Sequence, residues 1–530
     1  MMRRPPSGPA PRDGEPGGQR PPKRPRVAPG LAFVATCATA AAAGCACLHW
    51  GPNYLDNLAD RFLDRLASTD HVKLLRFLHN TEFGWGSGCS GTDSPTWVFG
   101  PLSAKLESRG CHASFPHIFS AELEASKRNF ICQTSTPGNL YGNLYDLCKD
   151  RAFCHKAGAE ALVDPNHRVR IFIAGFSCKT VSGLHSDKGV ASVCIDESTG
   201  STGLTFSGVV LFLRKRSPHL FVLENVVGLG RSGQLAAAKT RLEASGYVVF
   251  TVTLDPLTVG VPQSRPRIYI IGYSSDKWPR AKAFNERDLH EITTQLEQGH
   301  PLMNIEEFVY EESHPRVHAR RARFLDRVMA GDTATATEGR NLKWVHAQRR
   351  LQQKATAHPL SSSSWDPDRL RLLYPEAECL PSREKGLLDM RGIGFPHHRF
   401  ELLNISQTDA SGGPDFAPTI TPSGRFWLAD RCRRLLGVEA LALQGIHVDP
   451  DAIECDDELL HNLAGNAFNT ASCMEALVAT LVLLARMHYH DSQEAIDAPV
   501  TVAPSSESAA RLAAGELLSE SDSDSELWRP

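Results

Sequence analysis

Several short groups of residues in this chain are of types that could do chemistry. Cys178 carries a thiol just past an apolar, strand-like run, Val169 to Ala174. A thiolate so placed can form a covalent intermediate and split one difficult step into two easier ones. Lys179 beside it brings positive charge, which lowers a thiol pKa. A lone cysteine is more often an inert packing residue, so the thiol gains its interest from its surroundings. Glu224 follows a second apolar run, Leu220 to Leu223, where a carboxyl group can share a proton with a bound ring. Arg265 and Arg267 stand one residue apart in an extended segment, so both point to one side as paired, fixed donors. Upstream, Ser87-Gly88-Cys89-Ser90-Gly91-Thr92-Asp93-Ser94-Pro95 is a run of small residues whose backbone amides can approach a ligand, a weak signal when alone.

These groups need a frame that brings them to one edge. From about residue 84 to 275, apolar runs at His117 to Ala121, Val169 to Ala174, Leu220 to Leu223, Tyr247 to Leu254 and Arg267 to Tyr273 alternate with helix patterns such as Gly208 to Lys215 and Gln234 to Ala244. Strands alternating with helices predict an α/β fold with a mostly parallel, doubly wound sheet covered on both faces. Ligands of such sheets bind at the carboxyl ends of the strands. Cys178 and Glu224 both fall there. Before this region, Leu55, Leu58, Phe62, Leu66, Val72, Leu75 and Phe77 recur at helical spacing, which predicts one or two amphipathic helices over 51–83 as a lead-in. After it, residues 276–420 lose the alternation and read as a second, smaller irregular unit; 421–490 returns to helix, ending in the apolar Ala471 to Met487.

Gly175-Phe176-Ser177-Cys178-Lys179, Glu224-Asn225-Val226, Gln263-Ser264-Arg265-Pro266-Arg267 and Gly465-Asn466-Ala467-Phe468 follow one another in an order and spacing that resemble the signature of the DNA (cytosine-5)-methyltransferases. The likeness extends from about residue 84 to 487. It implies an S-adenosylmethionine-dependent enzyme acting on a cytosine rotated out of duplex DNA, because carbon 6 is unreachable in a stacked pair. In that family Cys178 matches the nucleophile, Glu224 the acid at N3, and Arg265 and Arg267 the clamps on base and backbone. The stretch Val181 to Gly203 matches the loop that closes over DNA. Gly88, Cys89, Ser90 and Gly91 match the donor loop, with Ser90 in place of a glycine and the family's preceding aromatic position falling on Gly86 or Ser87. Glu122, in Ser120-Ala121-Glu122, is expected to take the ribose hydroxyls. Asp146 is expected at the adenine amino group, and Asn466 in the donor pocket. Asp93 or Ser94 is expected to cap the next helix, with Pro95 in its first turn. Asn225 is expected to hold its loop in shape. Ser177 and Lys179 depart from the proline and glutamine usual in the family. The second unit implies a target-recognition region.

The remaining composition bounds the reading. The chain has 530 residues, 42% of them hydrophobic, enough for more than one packed unit. Its formal net charge is -3, which excludes a uniformly basic coat, although Arg316 to Lys354 holds ten Lys or Arg against three acids with Trp344 among them, suited to phosphate contact. The 14 cysteines lack the dense spacing of disulfide frameworks, and no pair of CxxC elements predicts a zinc centre. Residues 1–50 join a Pro- and Arg-rich segment with a basic Pro21-to-Pro29 cluster to an Ala-rich stretch, read as soluble rather than membrane-spanning. The cluster predicts nuclear import, with an organelle transit segment as the alternative. Residues 491–530 end in an acidic, serine-rich run that predicts disorder. Three other readings fit the same motifs: a catalytically silent DNA-binding chromatin protein of this fold, a tRNA cytosine-5 methyltransferase and a structural DNA-binding scaffold.

Overall fold

The computed structural model describes residues 54–177, 201–231, 233–329, 402–407 and 415–490, with single positions at 353, 380, 384, 387 and 388. Cys178, most of the stretch Val181 to Gly203, Lys343 to Arg350, the N-terminal basic and Ala-rich segments and the acidic tail lie outside the described residues.

The five expected strands form, together with four that were not expected. β1 (Gly84–Gly88), β2 (His117–Ala121), β3 (Asn139–Tyr141), β4 (Arg151–Cys154), β5 (Ala159–Leu162), β6 (Val169–Gly175), β7 (Leu220–Val226), β8 (Tyr247–Leu254) and β9 (Arg267–Ser274) build one nine-stranded sheet in the order β5-β4-β3-β2-β1-β6-β7-β9-β8. Its centre, from β3 through β7, is parallel, and the pairs at both flanks are antiparallel. The chain leaves β1 outward through β2 and β3 and returns to β1's other flank as β6. At that reversal the connections diverge, opening a crevice at the carboxyl ends of β1 and β6.

Period-2 alternation explains why both faces are covered. Ile171, Ile173, Leu220, Val222 and Tyr269 enter the core on one face, while Phe172, Ala174, Phe221, Leu223 and Ile270 enter the core on the other. The first core is filled by α1 (Tyr54–Arg65), α2 (Ser68–Leu78), α3 (Thr96–Ser108), α4 (Ala125–Thr134), α7 (Glu286–Glu297), α9 (Gly437–Ala442), α10 (Asp457–Asn466) and α11 (Thr470–His488); the second takes α5 (Ser201–Arg216) and α6 (Gln234–Glu243). Leu58 and Phe62 of α1 are fully buried, and Asp70 of α2 accepts from Arg486 of α11 at 2.6 and 2.8 Å. The helices before the sheet are thus part of its core. Likewise Leu289, Ile292 and Leu296 of α7 are buried in it, so the main core continues past residue 276. A separate three-stranded antiparallel sheet, β10 (Leu402–Asn404), β11 (Phe426–Leu428) and β12 (Arg433–Arg434), stands apart from the nine strands.

The basic stretch behaves differently from its expected phosphate role where it is described. In α8 (Pro315–Met329), Arg316 pairs with Asp451, Arg320 with Asp457 and Arg321 with Glu312. Asp451 and Asp457, distant in sequence, and the nearby Glu312 neutralise these three arginines and dock the helix instead.

Candidate active site

The register of β6 on β7 sets the first half of the site. Gly175, the last residue of β6, lies opposite Glu224 of β7. The next residue, Phe176, is buried, and its carbonyl accepts from Asn225 Nδ2 at 3.0 Å. Asn225 thus holds the loop that leaves β6. The Ser177 N–H donates to Thr205 Oγ1 of α5 at 3.1 Å. These bonds fix the chain to within one residue of Cys178.

Glu224 is 9% exposed, and Arg267 Nε donates to its Oε1 at 2.9 Å. Burial raises its carboxyl above the ordinary glutamate range, opposed by the charges of Arg267 and Arg265. The neutral acid therefore persists at higher pH than in a free glutamate, leaving a proton to donate. Arg267 stays at this edge. Arg265 departs from its expected role as a clamp on nucleic acid: it is 3% exposed, and its guanidinium donates to the carbonyls of Ile420 (2.6 Å), Gly465 (3.0 Å) and Ala467 (2.7 Å). The fork is spent on backbone, and it ties the last motif to the segment that enters β9.

The donor loop supplies the second half. Cys89 and Gly91 both take positive φ, 52° and 55°, so the backbone leaves β1 in a tight coil. Ser90 N–H donates to Ala121 O at 3.0 Å and Gly91 N–H to Glu122 Oε2 at 2.8 Å. Glu122 Oε1 accepts from the Glu124 N–H at 2.9 Å. Each carboxylate oxygen keeps a further lone pair. Burial pushes the Cys89 thiol up to about 12, which makes it a packing residue. Asp93 and Ser94 do not cap α3; Pro95 occupies that position without a side-chain bond. Asp93 instead accepts from the hydroxyls of Ser87 (2.7 Å), Ser120 (2.8 Å) and Ser135 (3.0 Å), pinning the loop from below.

Two expected donor contacts fall elsewhere. Asp146 sits in a short 3-10 turn and pairs with Lys149 at 2.7 Å. At the end of β3 the exposed polar residue is Asn143. Asn466 is exposed and bonds back to Asn462 at 2.9 Å. From the same motif it is Phe468 that reaches the crevice: its carbonyl accepts from Ser94 Oγ at 3.1 Å, and a β-carbon placed on Gly175 would stand 2.5 Å from its ring and 3.5 Å from Glu224 Oε2. Leu123, next to Glu122, is 71% exposed. None of Phe468, Leu123 or Asn143 was singled out from sequence. A signal existed for Phe468, which closes the quoted motif, and for Leu123, an apolar residue directly after a strand-end acid.

Residues 159–377 match the family model described as C-5 cytosine-specific DNA methylase. Over those residues the chain is similar to that family. Cys178, Glu224, Arg265 and Arg267 all lie inside the matched methylase range. A DNA (cytosine-5-)-methyltransferase DMT5 from Cryptococcus neoformans is 26% identical over 81% of this chain and 18% of its own length. Its namesake from Verticillium dahliae is 24% identical over 78% of this chain and 20% of its own. The chain thus spans about a fifth of these two relatives. The type II methyltransferase M.SsoII of Shigella sonnei is 30% identical over 21% of this chain and 28% of its own. The crystal structure of S. pombe Dnmt2 methyltransferase aligns over 76% of this chain and 99% of that chain at 12% identity, with a TM-score of 0.39.

Methylases of this family take their methyl group from S-adenosylmethionine. The residues present fit that molecule. A β-carbon on Gly91 would meet only the Cys89 carbonyl oxygen, at 4.0 Å, so the loop leaves room beside it. Glu122 has spare acceptor capacity for a diol, and Leu123 offers an apolar surface for a base ring.

Proposed function

We propose that the chain is a DNA (cytosine-5)-methyltransferase that binds duplex DNA, turns a cytosine into the crevice between β6, β7 and the donor loop, and methylates it at carbon 5. S-adenosylmethionine, held by the 88–91 loop, Glu122, Leu123 and Asn143, supplies an electrophilic methyl group. In this reading the Cys178 thiolate forms a bond to carbon 6, and Glu224 gives a proton to N3. The electrons that leave the 5,6 double bond would then make the new bond at carbon 5, the bond pair of the departing methyl staying with the donor, and N3 would return its proton to Glu224. Loss of the carbon 5 proton to a base restores the double bond and expels the thiolate. Arg267 holds the Glu224 carboxyl in place, and Arg265 positions the loop that carries Phe468. Nuclear import by the basic Pro21-to-Pro29 cluster belongs to the same proposal and is checked by locating a tagged chain with and without that cluster.

The observation that carries this reading is the pairing of Gly175 with Glu224. It brings the segment leading into Cys178 beside a buried carboxyl whose acid form is favoured, which is the pair a covalent attack on a pyrimidine needs. A second reading, a DNA-binding protein that transfers no methyl group, draws on the loop amides: those of Ser90 and Gly91 are already bonded within the protein.

Covalent trapping separates the two. The full chain is incubated with S-adenosylmethionine and duplex DNA carrying 5-fluorocytosine, then run on a denaturing gel beside Cys178→Ala. A shifted band that the variant loses is the expected result. Retained DNA binding with no band across varied DNA sequences overturns the enzyme in favour of the silent binder.

A further inference from the structure

Residues 449–458 hold six acids, Asp449, Asp451, Glu454, Asp456, Asp457 and Glu458, and this run clasps the basic helix α8. Asp451 pairs with Arg316 and Asp457 with Arg320. The two pairs are held differently. Asp457 also accepts from the Gly437 N–H at 2.6 Å, so it belongs to the frame around α9. Asp451 leaves 84% of its side chain exposed, against 31% for Arg316, and an exposed pair of this kind is weak and screened by salt. Packing adds little beneath it. Among residues 315–323 Val317 alone is buried, and a cavity of about 150 Å³ lies under α8, lined by Arg316, Ala319 and Arg323 on one side and by Leu436 and Leu460 on the other. Arg323 is exposed and has no ion-pair partner among the described residues. One end of α8 is therefore held mainly by a single surface charge, with an uncommitted arginine on the same face.

A guanidinium fork fits phosphate as well as it fits carboxylate. Arg316 and Arg323 stand seven residues apart, two turns along one helix face. A phosphate backbone laid on that face gives Arg316 a replacement for Asp451 and gives Arg323 a partner it lacks. The exchange breaks one weak pair and returns an exposed carboxylate to water; it forms two phosphate contacts and releases their counterions. We propose that Asp451 is an internal stand-in for phosphate: it latches the Arg316 end of α8 in the free chain, and duplex DNA opens the latch by taking Arg316 and Arg323 together. The pair of Arg320 with Asp457 stays closed, as does that of Arg321 with Glu312, which itself accepts from the buried Arg433 at 2.7 Å. These two form the pivot. The inference rests on the duplex-DNA reading above and adds to it a competitor built into the chain, which is why a stretch whose charge suits phosphate is neutralised in the free protein.

The test compares two acids that carry the same charge and differ in the latch. Fluorescence anisotropy of a labelled duplex gives dissociation constants for the full chain, Asp451→Asn and Glu458→Gln over a series of salt concentrations. Glu458 lies in the same acidic run, is exposed and has no partner on α8. Asp451→Asn should tighten binding about two- to fivefold, and Glu458→Gln far less. Arg316→Gln should weaken binding and lower the slope of log K against log salt by about one. In that background Asp451→Asn should bring no gain, because the arginine it restrains is gone. Hydrogen exchange reads the latch without DNA: Asp451→Asn should speed exchange in the first turns of α8, and Glu458→Gln should not. Equal tightening by the two acid variants, unchanged exchange in Asp451→Asn, or an Arg316→Gln chain that binds like the wild type overturns the inference and leaves the methyltransferase reading standing. A wild-type chain that binds no duplex overturns both.

Discussion

At the scale of single residues the decisive pair is Glu224 and Arg267, because their separation of 2.9 Å sets how readily the carboxyl keeps its proton. Burial favours the neutral acid and the arginine charge opposes it; removing the arginine leaves burial as the stronger influence. Arg267→Leu should therefore move the ionisation of Glu224 to higher pH, seen as an alkaline displacement of the corresponding limb in a pH profile of single-turnover methyl transfer. A limb that stays in place or moves to lower pH contradicts this electrostatic account. Glu224→Gln keeps the size of the side chain and removes the acid. General acid catalysis contributes about 10²–10⁴-fold, so methyl transfer by this variant should fall by roughly that factor while calorimetry shows S-adenosylhomocysteine binding unchanged. A matching loss of nucleoside binding would mean that the substitution damaged the fold rather than the chemistry.

At the scale of elements, the last motif works because its backbone can come very close to its neighbours. A β-carbon on Gly465 would stand 2.1 Å from Pro422 N and 2.3 Å from the carbonyl carbon of Thr421, atoms that cannot rotate away. Gly465→Ala should cost about 1–3 kcal/mol, as overpacking does, and should displace the carbonyls that Arg265 holds. Urea denaturation reads the first effect and a weaker affinity for S-adenosylhomocysteine the second; an unchanged midpoint would show that residues 421–422 can yield. The same scale explains what could be read from sequence. β2, β6, β7, β8 and β9 were legible as apolar runs because both faces of the central sheet are buried. β1 was not, since Gly84-Trp85-Gly86-Ser87-Gly88 places a glycine at every second position. At Gly86 the ring of Phe119, 2.6 Å from a would-be β-carbon, fills the missing side chain's place. The β4–β5 hairpin, short and largely exposed, carries no such pattern. The strand-end positions of Glu224 and Glu122 were legible. The fate of Arg265 was not, because its three acceptors lie 155 to 202 residues away along the chain, and no local pattern reports such a contact.

At the scale of the whole molecule, α11 is the element on which distant parts of the chain converge: Tyr273 of β9 donates to Thr480 O at 2.9 Å, and Asp70 of α2 accepts from Arg486. Within this buried helix Glu475 is an anomaly. It is fully buried, neither carboxylate oxygen has a hydrogen-bond partner among the described residues, and burial, with the charge of Glu297 adding to it, raises its pKa well above 4.5. An isolated buried charge is costly, so the side chain is held as the neutral acid. In the unfolded chain the same group ionises near its ordinary value. Because the folded-state pKa is the higher one, the contribution of this group to stability is fully present below pH 4.5 and is lost as pH rises toward the folded value. Glutamine has nearly the same shape and no proton to lose. Urea denaturation of the wild type and Glu475→Gln at pH 5 and pH 8 should then show the variant gaining on the wild type as pH rises, since only the wild type is destabilised through this position. If the difference between the two proteins is the same at both pH values, the carboxyl is already ionised in the folded core, and some solvent or counter-charge must reach it.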